Sequence, residues 1–433
     1  MAVQRTEMYV DLDPDLFLLK PGETWTEKYP QLGTGLVSYE SAISAEFYEH
    51  EREAVFRRNW LFVGRTEQVK KTGDYFTKEL EVCKTSVIII RGKDGKIRGF
   101  HNTCPHRGNK LLWQENPRRP VEGRCLRMTC KYHGLGFGLD GKVEVLTDRE
   151  NWFGSQGSDL HLAEIPTEIW NGFIFINLTP GGPTQTLREH LGEFYWTGFD
   201  GYPFEELSEV VTLTGEANSN WKTLADAFAE GYHVPYLHRW SFPLLKPGTE
   251  ITVRPQCYGL AGKHSFYIID RVMDEPYAYE YEKLARATGA GSLYPFARDL
   301  SKLPPAANPT GHDRWLNSSH VIWPNMQIQF YWPGWFLIYA FWPLAYNRMR
   351  FDVELHYLPS RNFSEMYSHK VAMQAFMDAA LQDVNTLEAT QLGLEARAFE
   401  HYPLSDGEFI VRRFHKTIYA EVAAYRESLR AGR

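Results

Sequence analysis

The sequence predicts an α+β protein in which an all-β domain is followed by a curved antiparallel sheet packed on a long helix. Short β-like runs such as Ser86–Ile90 and Phe173–Ile176 dominate residues 60–177. The clearest breaker in the chain, Thr179–Pro183, is followed by alternating strand and helix patterns. We therefore expect a domain boundary at this breaker.

The predicted domains are residues 60–178 and 184–433, preceded by a helical segment, 1–59. A chain of 433 residues is long enough for about two or three domains, each with its own core. From about Ile43 to Asn59, apolar residues at helical spacing alternate with charged ones, which indicates an amphipathic surface helix. We expect this segment to pack on the second domain.

Two long helices are predicted in the second domain, one around Trp221–Tyr232 and one from about Met366 to Glu400. The later helix is rich in good helix formers, and no proline falls between Pro359 and Pro403. Most of the predicted strands lie between the two helices. A sheet wrapped on the long helix is the simplest packing that buries them.

The run from Val321 to Leu344 is unusually aromatic and is interrupted by proline and amide residues. A membrane-spanning helix needs about 20 predominantly apolar residues without such breaks. The period-two alternation from Met326 to Tyr331 predicts a strand instead. We therefore expect sheet strands around a cavity, with these candidate pocket residues: Trp323, Phe330, Tyr331, Trp332, Trp335 and Phe336.

Composition restricts the class of protein. Hydrophobic residues make up 43% and charged residues 23%, which is ordinary for a globular protein. The net charge of -7 argues against a nucleic-acid partner. Five cysteines, an odd number, fit reduced thiols better than a disulfide framework, and the first residues lack the pattern of a signal peptide. These features predict a cytoplasmic protein without a membrane segment.

Two short motifs, Cys104-Pro105-His106 and Cys130-Lys131-Tyr132-His133, each supply one thiolate and one imidazole. A [2Fe-2S] cluster with two histidines on one iron needs two such turns. Gly108 and Gly134 follow where the backbone must bend closely around a cofactor. Two cysteines and two histidines also suit zinc, although zinc fingers usually group like ligands together. The motifs favour the cluster, with zinc as the alternative.

A second set of ligands surrounds the sequence Glu230-Gly231-Tyr232-His233, which is followed by His238. Asp226, Glu230 and His233 would share one face of a helix. His238 would be rotated by about 140° from His233, so both reach one metal only if the helix unwinds between them. Pro235 is placed where it could force that unwinding.

A carboxylate would complete the two-histidine, one-carboxylate set that leaves positions open for oxygen at Fe(II). Asp383 is the candidate, because Leu387 and Gln391 lie along the same stripe of the predicted long helix. Taken alone, an acidic residue on a helix is usually a solvated charge. Its occurrence together with the two upstream motifs is what favours a metal ligand.

The motifs together resemble the α subunit of Rieske non-heme iron oxygenases, also called aromatic ring-hydroxylating oxygenases. The resemblance extends over nearly the whole chain and rests on the following segments: Cys104–Gly108, Cys130–Gly134, Trp170–Asn177, Asn220–Lys222, Glu230–His238 and Gln382–Gln391. It implies a Rieske [2Fe-2S] domain followed by a helix-grip-like catalytic domain. It also implies the cofactors of this family, a Rieske cluster and a mononuclear Fe(II).

The resemblance implies a role for each matching residue. Cys104, His106, Cys130 and His133 would bind the cluster, whereas His233, His238 and Asp383 would bind Fe(II). Glu230 would bridge an iron histidine and a cluster histidine of the adjacent subunit. Three features depart from the family pattern: Glu230 where Asp is common, Leu135 where Trp is common, and a long loop of 23 residues between His106 and Cys130. Glu at the bridging position occurs in some members that oxidise quaternary ammonium compounds.

The family organisation further implies a ring-shaped trimer, in which neighbouring subunits pair cluster with iron. No glycine-rich GxGxxG loop suited to NAD or FAD occurs in the sequence. Electrons from NAD(P)H would therefore arrive through a separate reductase, with or without a ferredoxin. The sequence leaves open whether a β subunit also assembles.

We predict an oxygenase that uses O₂ and these electrons to hydroxylate an apolar or aromatic substrate. The alternative is a monooxygenase that oxidises or demethylates a quaternary ammonium or other methylated compound, because aromatic rings could also surround such a cation. A rival from another class is an electron carrier or a zinc-stabilised binding protein. The substrate, the position oxidised and the identity of the reductase are not encoded in any motif recognised above.

Overall fold

The computed structural model describes residues 17–239, 257–270, 284, 300–309, 311, 315–331 and 335–431. These residues form two compact units. One unit runs from Phe56 to Leu187, and the breaker Thr179–Pro183 lies near its end. The other unit contains the described residues up to Val55 and those from Arg188 onwards. The N-terminal segment and the C-terminal part of the chain thus build one unit together.

The main helices of the described residues are α1 (Trp25–Lys28), α2 (Glu40–Ile43), α3 (Ala45–Glu51), α4 (Leu187–Gly198), α5 (Trp221–Ala227), α6 (Val234–Leu237), α7 (Phe363–Glu395) and α8 (Phe409–Ala431). The strands are β1 (Val37–Ser38), β2 (Trp60–Arg65), β3 (Asp74–Leu80), β4 (Thr85–Arg91), β5 (Ile97–His101), β6 (Glu122–Arg124), β7 (Met128–Thr129), β8 (Gly136–Phe137), β9 (Val143–Val145), β10 (Glu164–Ile165), β11 (Thr167–Trp170), β12 (Phe173–Asn177), β13 (Glu209–Ala217), β14 (Cys257–Ala261), β15 (His264–Asp270), β16 (Trp315–Ile322), β17 (Met326–Tyr331), β18 (Trp335–Ala345), β19 (Arg348–Tyr357) and β20 (His401–Tyr402). A search of the described helices finds none with the length and apolar character needed to cross a membrane.

The unit Phe56–Leu187 is built from antiparallel sheets with the strand orders β10-β5-β4-β3-β6, β11-β12-β2 and β7-β8-β9. Its core contains Ile88, Phe100 and Phe137, and the side chains of Cys104 and Cys130 are buried in the same cluster. The all-β character predicted for this region is confirmed. Both cysteine motifs are therefore fixed by packing inside the unit.

The long loop between His106 and Cys130 has a structural role in this unit. Strand β6 lies in the loop and pairs with β3, with Asp74 opposite Arg124 and Phe76 opposite Glu122. Strand β7 then leads directly into Cys130. The residues of the long loop thus provide the edge strand of the five-stranded sheet.

The other unit contains a seven-stranded antiparallel sheet with the order β13-β19-β18-β17-β16-β15-β14. Helix α7 lies against one face, where the rings of Phe376 and Tyr339 are 5.8 Å apart. On the opposite face Phe199, which follows α4, stacks on Phe330 at 4.9 Å. The predicted antiparallel sheet on a long helix is confirmed. The aromatic run from Val321 to Leu344 contains strands β17 and β18, as predicted, and not a membrane-spanning helix.

The long helix α7 begins and ends earlier than the predicted Met366–Glu400. Asn362 caps its first turn by accepting from the N–H of Glu365 at 3.0 Å. At the other end, Arg397 adopts a left-handed conformation with φ of 52°, which is incompatible with a continuing helix. A cap signal at Asn362 was available in the sequence, whereas the left-handed arginine was not.

Candidate metal centres

The loops that follow Cys104 and Cys130 have the same backbone hydrogen-bond pattern. In each loop the cysteine carbonyl accepts from the N–H of the glycine four residues later, Gly108 or Gly134, at 3.0 Å. The cysteine N–H donates to the carbonyl five residues later at 2.8 Å. Both glycines have a positive φ, 73° and 74°, which side chains other than glycine rarely adopt. Two equivalent turns therefore present the four predicted ligands.

The two turns bring these four side chains together. The thiols of Cys104 and Cys130 lie within hydrogen-bonding range of each other, and burial raises the pKa of the Cys104 thiol. Backbone N–H groups of His106 and Arg107 donate to the Cys104 sulfur and act to lower this pKa. The rings of His106 and His133 lie 4.8 Å apart. The cysteines are buried and the histidines are half-buried.

This arrangement fits a [2Fe-2S] cluster held by two thiolates and two imidazoles. His106 Nδ1 is buried and has no hydrogen-bond partner among the described residues, so it is available as a ligand. Asn109 Nδ2 lies 3.7 Å from the Cys130 sulfur, in position to donate a hydrogen bond to it. Such donors to sulfur help to set the potential of a cluster.

Cys125 could have competed with Cys130 as a ligand on sequence grounds. It directly follows β6, where its N–H donates to the carbonyl of Gly73 at 3.0 Å. Its thiol influences the pKa of Tyr75, and burial raises the pKa of the thiol itself. Cys125 thus belongs to the edge of the five-stranded sheet.

In the larger unit, His233, His238 and Asp383 converge. Each offers one ligand atom, and these atoms all lie within 4.8 Å of one another. Asp383 Oδ1 is 3.2 Å from His238 Nε2 and 3.7 Å from His233 Nε2. Asp383 Oδ1 is buried and lacks a hydrogen-bond partner in the described part of the chain. An orphaned carboxylate oxygen beside two imidazoles fits a bound divalent metal.

The path of the chain at this site differs from the predicted helix Trp221–Tyr232. Helix α5 ends at Ala227, and the short helix α6 begins only at Val234. The carbonyl of Phe228 is satisfied by side chains from the sheet, and Glu230 accepts from the N–H groups of Tyr232 and His233. Because side chains replace the helical hydrogen bonds, the backbone between the two helices need not be helical.

The expectation that Pro235 forces the helix to unwind is therefore wrong. The chain leaves the helical path before this residue, and Pro235 lies in the first turn of α6, where a missing N–H costs nothing. The unwinding expected between the two histidines is wrong as well, because α6 lies between His233 and His238. The break in the helix precedes His233, where Glu230 and the sheet stabilise it. Asp226 and His233 accordingly do not share one helical face.

The outer nitrogen of each histidine has a defined partner. His233 Nδ1 lies 2.5 Å from Glu230 Oε1, and His238 Nδ1 lies 2.9 Å from Gln382 Oε1. Since both partners accept, each Nδ1 carries the proton and each Nε2 lone pair is directed to the metal position. Burial alone would lower the pKa of His233, but the hydrogen bond and charge of Glu230, with Asp383, outweigh it and raise the pKa.

Asp226 lies elsewhere. Its Oδ2 is 2.8 Å from His415 Nε2, and the same nitrogen is 3.0 Å from the Tyr402 hydroxyl. The carboxylate on α7 rather than the one on α5 therefore faces His233 and His238. Asp383 is 3% exposed and is not a solvated surface charge.

Helix α7 also fixes the start of α5. The N–H of Asn220, the capping residue of α5, donates to Gln391 Oε1 at 2.9 Å. The N–H of Asn218 donates to Glu388 Oε1 at 2.8 Å. The stripe of Asp383, Leu387 and Gln391 is buried as a unit. Helix α7 thus positions its own carboxylate and the segment that carries the histidines.

The five candidate pocket residues in the described part of the chain do not lie together. Phe330 and Phe336 lie on the sheet face away from α7, in an aromatic cluster with Phe199, Tyr202 and Phe204. Trp323 follows β16, accepts from the ring of His190 and packs on Phe414. Phe330 and Phe336 point away from α7 because side chains on a strand alternate between its faces, whereas Trp323 lies beyond the end of its strand. Their place in a substrate pocket stays a prediction.

Two of the candidates do lie on the face toward α7. Tyr331 and Trp335 are opposite each other in the register, and their rings stack at 4.3 Å. Trp332 lies outside the described residues. Sequence reasoning missed the polar residues on the same face of the sheet, Ser319, Gln327 and Gln329. Amides at alternate positions of an otherwise apolar strand were the available signal.

Gln382 was also missed as a partner of His238. The residue was noted only as a neighbour of Asp383 in the matching helix. Sequence spacing cannot reveal its role, because the hydrogen bond joins residues that are 144 positions apart. A side chain adjacent to a candidate ligand was the only hint.

Comparison with family models gives two matches. The model described as the ring hydroxylating alpha subunit, catalytic domain, matches residues 204–424. The model described as the Rieske [2Fe-2S] domain matches residues 59–161. The catalytic match extends over the region that a simple electron carrier would leave unexplained.

Three curated proteins illustrate the sequence similarity. The carnitine monooxygenase oxygenase subunit of Escherichia coli (strain K12) is 29% identical over 232 residues, which is 52% of this chain and 55% of that protein. The large oxygenase component of the Ralstonia sp naphthalene 1,2-dioxygenase system is 32% identical over 45% of this chain and 42% of its own. The chloroplastic choline monooxygenase of Amaranthus tricolor is 30% identical over the same shares. The match spans about half the length of these relatives.

Solved structures show the same fold. The quaternary ammonium Rieske monooxygenase in complex with L-carnitine has a TM-score of 0.68 at 17% identity and covers 90% of this chain and 97% of its own. Naphthalene 1,2-dioxygenase from Rhodococcus sp. bound to indole has a TM-score of 0.68 at 19% identity and covers 89% and 94%. These similarities confirm the predicted two-domain architecture.

Proposed function

Because the chain belongs to the family of ring-hydroxylating, Rieske-type oxygenase α subunits, we propose that it is a terminal oxygenase that hydroxylates an organic substrate with O₂. The observation that carries the proposal is the convergence of His233, His238 and Asp383, with an unpartnered carboxylate oxygen between the imidazoles. An electron carrier or a zinc-stabilised binding protein would not require this second site.

Cys104 and Cys130 would hold one iron of the cluster, and His106 and His133 the other. His233, His238 and Asp383 would hold a mononuclear Fe(II). When bound, the cluster supplies single electrons and the Fe(II), with open coordination positions, supplies a place for O₂. The protein's own contribution is to fix the ligand atoms: Glu230 and Gln382 hold the two imidazoles with Nε2 directed inward.

Glu230 would have a second task as the bridge between subunits. Its carboxylate contacts the iron-site His233, and in a ring-shaped trimer it would also lie beside a cluster histidine of the neighbouring subunit. We propose that electrons originate from NAD(P)H and reach the cluster through a separate reductase, with or without a ferredoxin. The odd number of cysteines in the sequence, five, fits reduced thiols and supports work in the reducing cytoplasm.

Two substrate classes are compatible with the family. An apolar or aromatic compound is one, and the other is a quaternary ammonium or another methylated compound, which would be oxidised or demethylated. Glu230 and the similarity to carnitine monooxygenase subunits favour the second. The polar side chains at Ser319, Gln327 and Gln329 on the face toward α7 also favour a substrate with polar groups.

The test is a metal count with EPR spectroscopy of anaerobically purified, reduced protein. We expect a Rieske signal and about three irons per chain, two for the cluster and one for the triad. In His233→Ala the cluster signal should stay and the third iron and turnover should be lost. The matched control is His401→Ala, which removes an exposed histidine. A colourless protein that binds zinc even after reconstitution with iron and sulfide would contradict the proposal.

A further inference from the structure

A connected set of polar side chains lies on the face of the seven-stranded sheet toward the candidate iron site. The register places Ser319 opposite Gln329 and Tyr267, and Asn317 opposite Tyr331, so their side chains emerge from the same face. Gln327 lies two residues before Gln329 on that face. The set is buried, with Asn317 9%, Ser319 0%, Gln327 0% and Gln329 4% exposed.

This polar face is close to the triad. The charge of Asp383 raises the pKa values of Tyr331 and Tyr267, after the larger effect of their burial. Gln327 and Tyr267 both donate to the carbonyl of Phe228, at 2.8 Å and 3.1 Å. Phe228 begins the non-helical segment that leads to His233. A substrate bound at the iron site would therefore meet this face of the sheet.

The hydrogen bonds use nearly all the donors of the set. Gln327 Nε2 donates to Ser319 Oγ at 2.6 Å, and Gln329 Nε2 donates to the same oxygen at 3.2 Å. Ser319 in turn is hydrogen-bonded to the Tyr267 hydroxyl. The Tyr331 hydroxyl donates to Gln329 Oε1 at 2.6 Å. The donor groups of the set are thus bonded to acceptors within the set and to the carbonyl of Phe228.

Two acceptors are left over. Gln327 Oε1 and Asn317 Oδ1 are buried and have no partner in the described part of the chain. The orientation of Gln327 is fixed, because the Phe228 carbonyl can only accept and must face the amide nitrogen. The orientation of Asn317 is fixed in the same way. The Tyr331 hydroxyl has one proton and donates it to Gln329. In the hydrogen bond between Asn317 and Tyr331 the Asn317 amide nitrogen must therefore be the donor, which leaves Oδ1 without one.

A buried acceptor without a donor is unfavourable, so a ligand that supplies the donor gains relative to one that does not. We propose that Gln327 Oε1 and Asn317 Oδ1 accept hydrogen bonds from the substrate, and that the substrate therefore carries an N–H or O–H group. This inference rests on the proposed oxygenase function and refines its substrate class. It disfavours unsubstituted aromatic hydrocarbons and cations that are fully alkylated and lack any hydroxyl group.

The test is calorimetric binding of two matched ligand pairs to anaerobic, iron-loaded protein. Indole is compared with indene, which replaces the N–H by CH₂, and protonated N,N-dimethylbenzylamine is compared with benzyltrimethylammonium. In each pair we expect the donor-bearing compound to bind about tenfold more tightly. Binding is measured without turnover, so the result does not depend on whether the protein proves to be an oxygenase. Absence of the Rieske signal would separately contradict the proposed function.

Substitutions locate the effect. Gln327→Met and Asn317→Leu remove the acceptors at similar side-chain length and should abolish the preference. Because Gln327 also donates to the Phe228 carbonyl, the variants and the wild-type protein are compared at equal iron content. The control is Ser318→Ala on the opposite face of the strand that carries Asn317, because Ser318 is buried and its hydroxyl has no partner among the residues described. Equal binding within both wild-type pairs, or no binding of either donor-bearing compound, would overturn the proposal. A preference that persists in both variants would overturn the assignment to these oxygens.

Discussion

At the scale of single residues, the imidazoles of His233 and His238 are held by different groups. Glu230 reaches His233 with a charged carboxylate, whereas Gln382 reaches His238 with a neutral amide. A carboxylate makes its imidazole partner more basic than an amide does. Glu230 lies three residues before His233 on the same segment, so one local turn positions both side chains.

For Glu230→Gln we expect that both metals stay bound and that electron transfer to the iron site fails. The amide keeps the length of the side chain and one acceptor oxygen, but it lacks the charge that the proposed bridge requires. The measurement is reoxidation of the reduced cluster with O₂ and a substrate in a single turnover, where we expect a rate at least about tenfold slower.

The control for this variant is Glu427→Gln, which removes an exposed carboxylate of α8. It should behave like the wild-type protein. Unchanged reoxidation in Glu230→Gln would remove this residue from the mechanism, and loss of iron would assign it to the metal site instead.

At the scale of elements, α7 is the organising helix of the site. Its 33 residues carry Asp383 toward the histidines, Gln382 toward His238, and Gln391 toward the start of α5. The helix was predicted from composition, but its contacts were not. The segment Trp221–Tyr232 was predicted as one helix because its local sequence is compatible with one. Side chains from the sheet and from Glu230 stabilise a break that local preference does not encode.

For Gln391→Leu we expect a loss of stability of about 1–3 kcal/mol, because the buried N–H of Asn220 loses its acceptor. The measurement is chemical denaturation of the purified protein. Thr390→Ala, an exposed neighbour on the same helix, is the matched control. A change in Gln391→Leu no larger than in this control would show that α7 does not stabilise the start of α5.

At the scale of the whole molecule, three of the buried histidines away from the candidate metal centre have strongly lowered pKa values. Burial lowers the pKa of His190 to about 4 and of His264 and His320 to about 3. For His264 the neighbouring His190, Lys263 and Arg413 lower the pKa further. His264 is held neutral, since its Nδ1 accepts from the N–H of Trp323 at 2.9 Å. His320 lies among aromatic rings with both nitrogens unpartnered in the described residues.

These histidines predict acid sensitivity. An unfolded chain takes up their protons near pH 6.5, whereas the folded unit does so only near pH 3–4. Their contribution to stability is therefore complete above about pH 6.5 and is lost as the pH falls toward 4. Each histidine contributes a slope of about 1.4 kcal/mol per pH unit in that window.

The measurement is the free energy of unfolding between pH 6.5 and 4.5, followed by tryptophan fluorescence. His320→Leu should reduce the dependence of the unfolding free energy on pH by about 1.4 kcal/mol per pH unit, the contribution of one histidine. Leucine does not titrate, and its apolar side chain suits the aromatic surroundings. His401→Leu removes an exposed histidine and should leave the slope as in the wild-type protein. Equal slopes in all three proteins would contradict the assignment.

The sequence by itself determined the family, the two-domain order and the short-range ligand motifs. Cys104 with His106, Cys130 with His133, and Glu230 with His233 are each separated by only a few residues, so local turns place them together. Only the tertiary structure decided which carboxylate faces the histidines, that Gln382 supports His238, and which face of β17 lies toward α7. These outcomes depend on contacts between segments far apart in the chain, and on strand registers that composition and spacing do not specify.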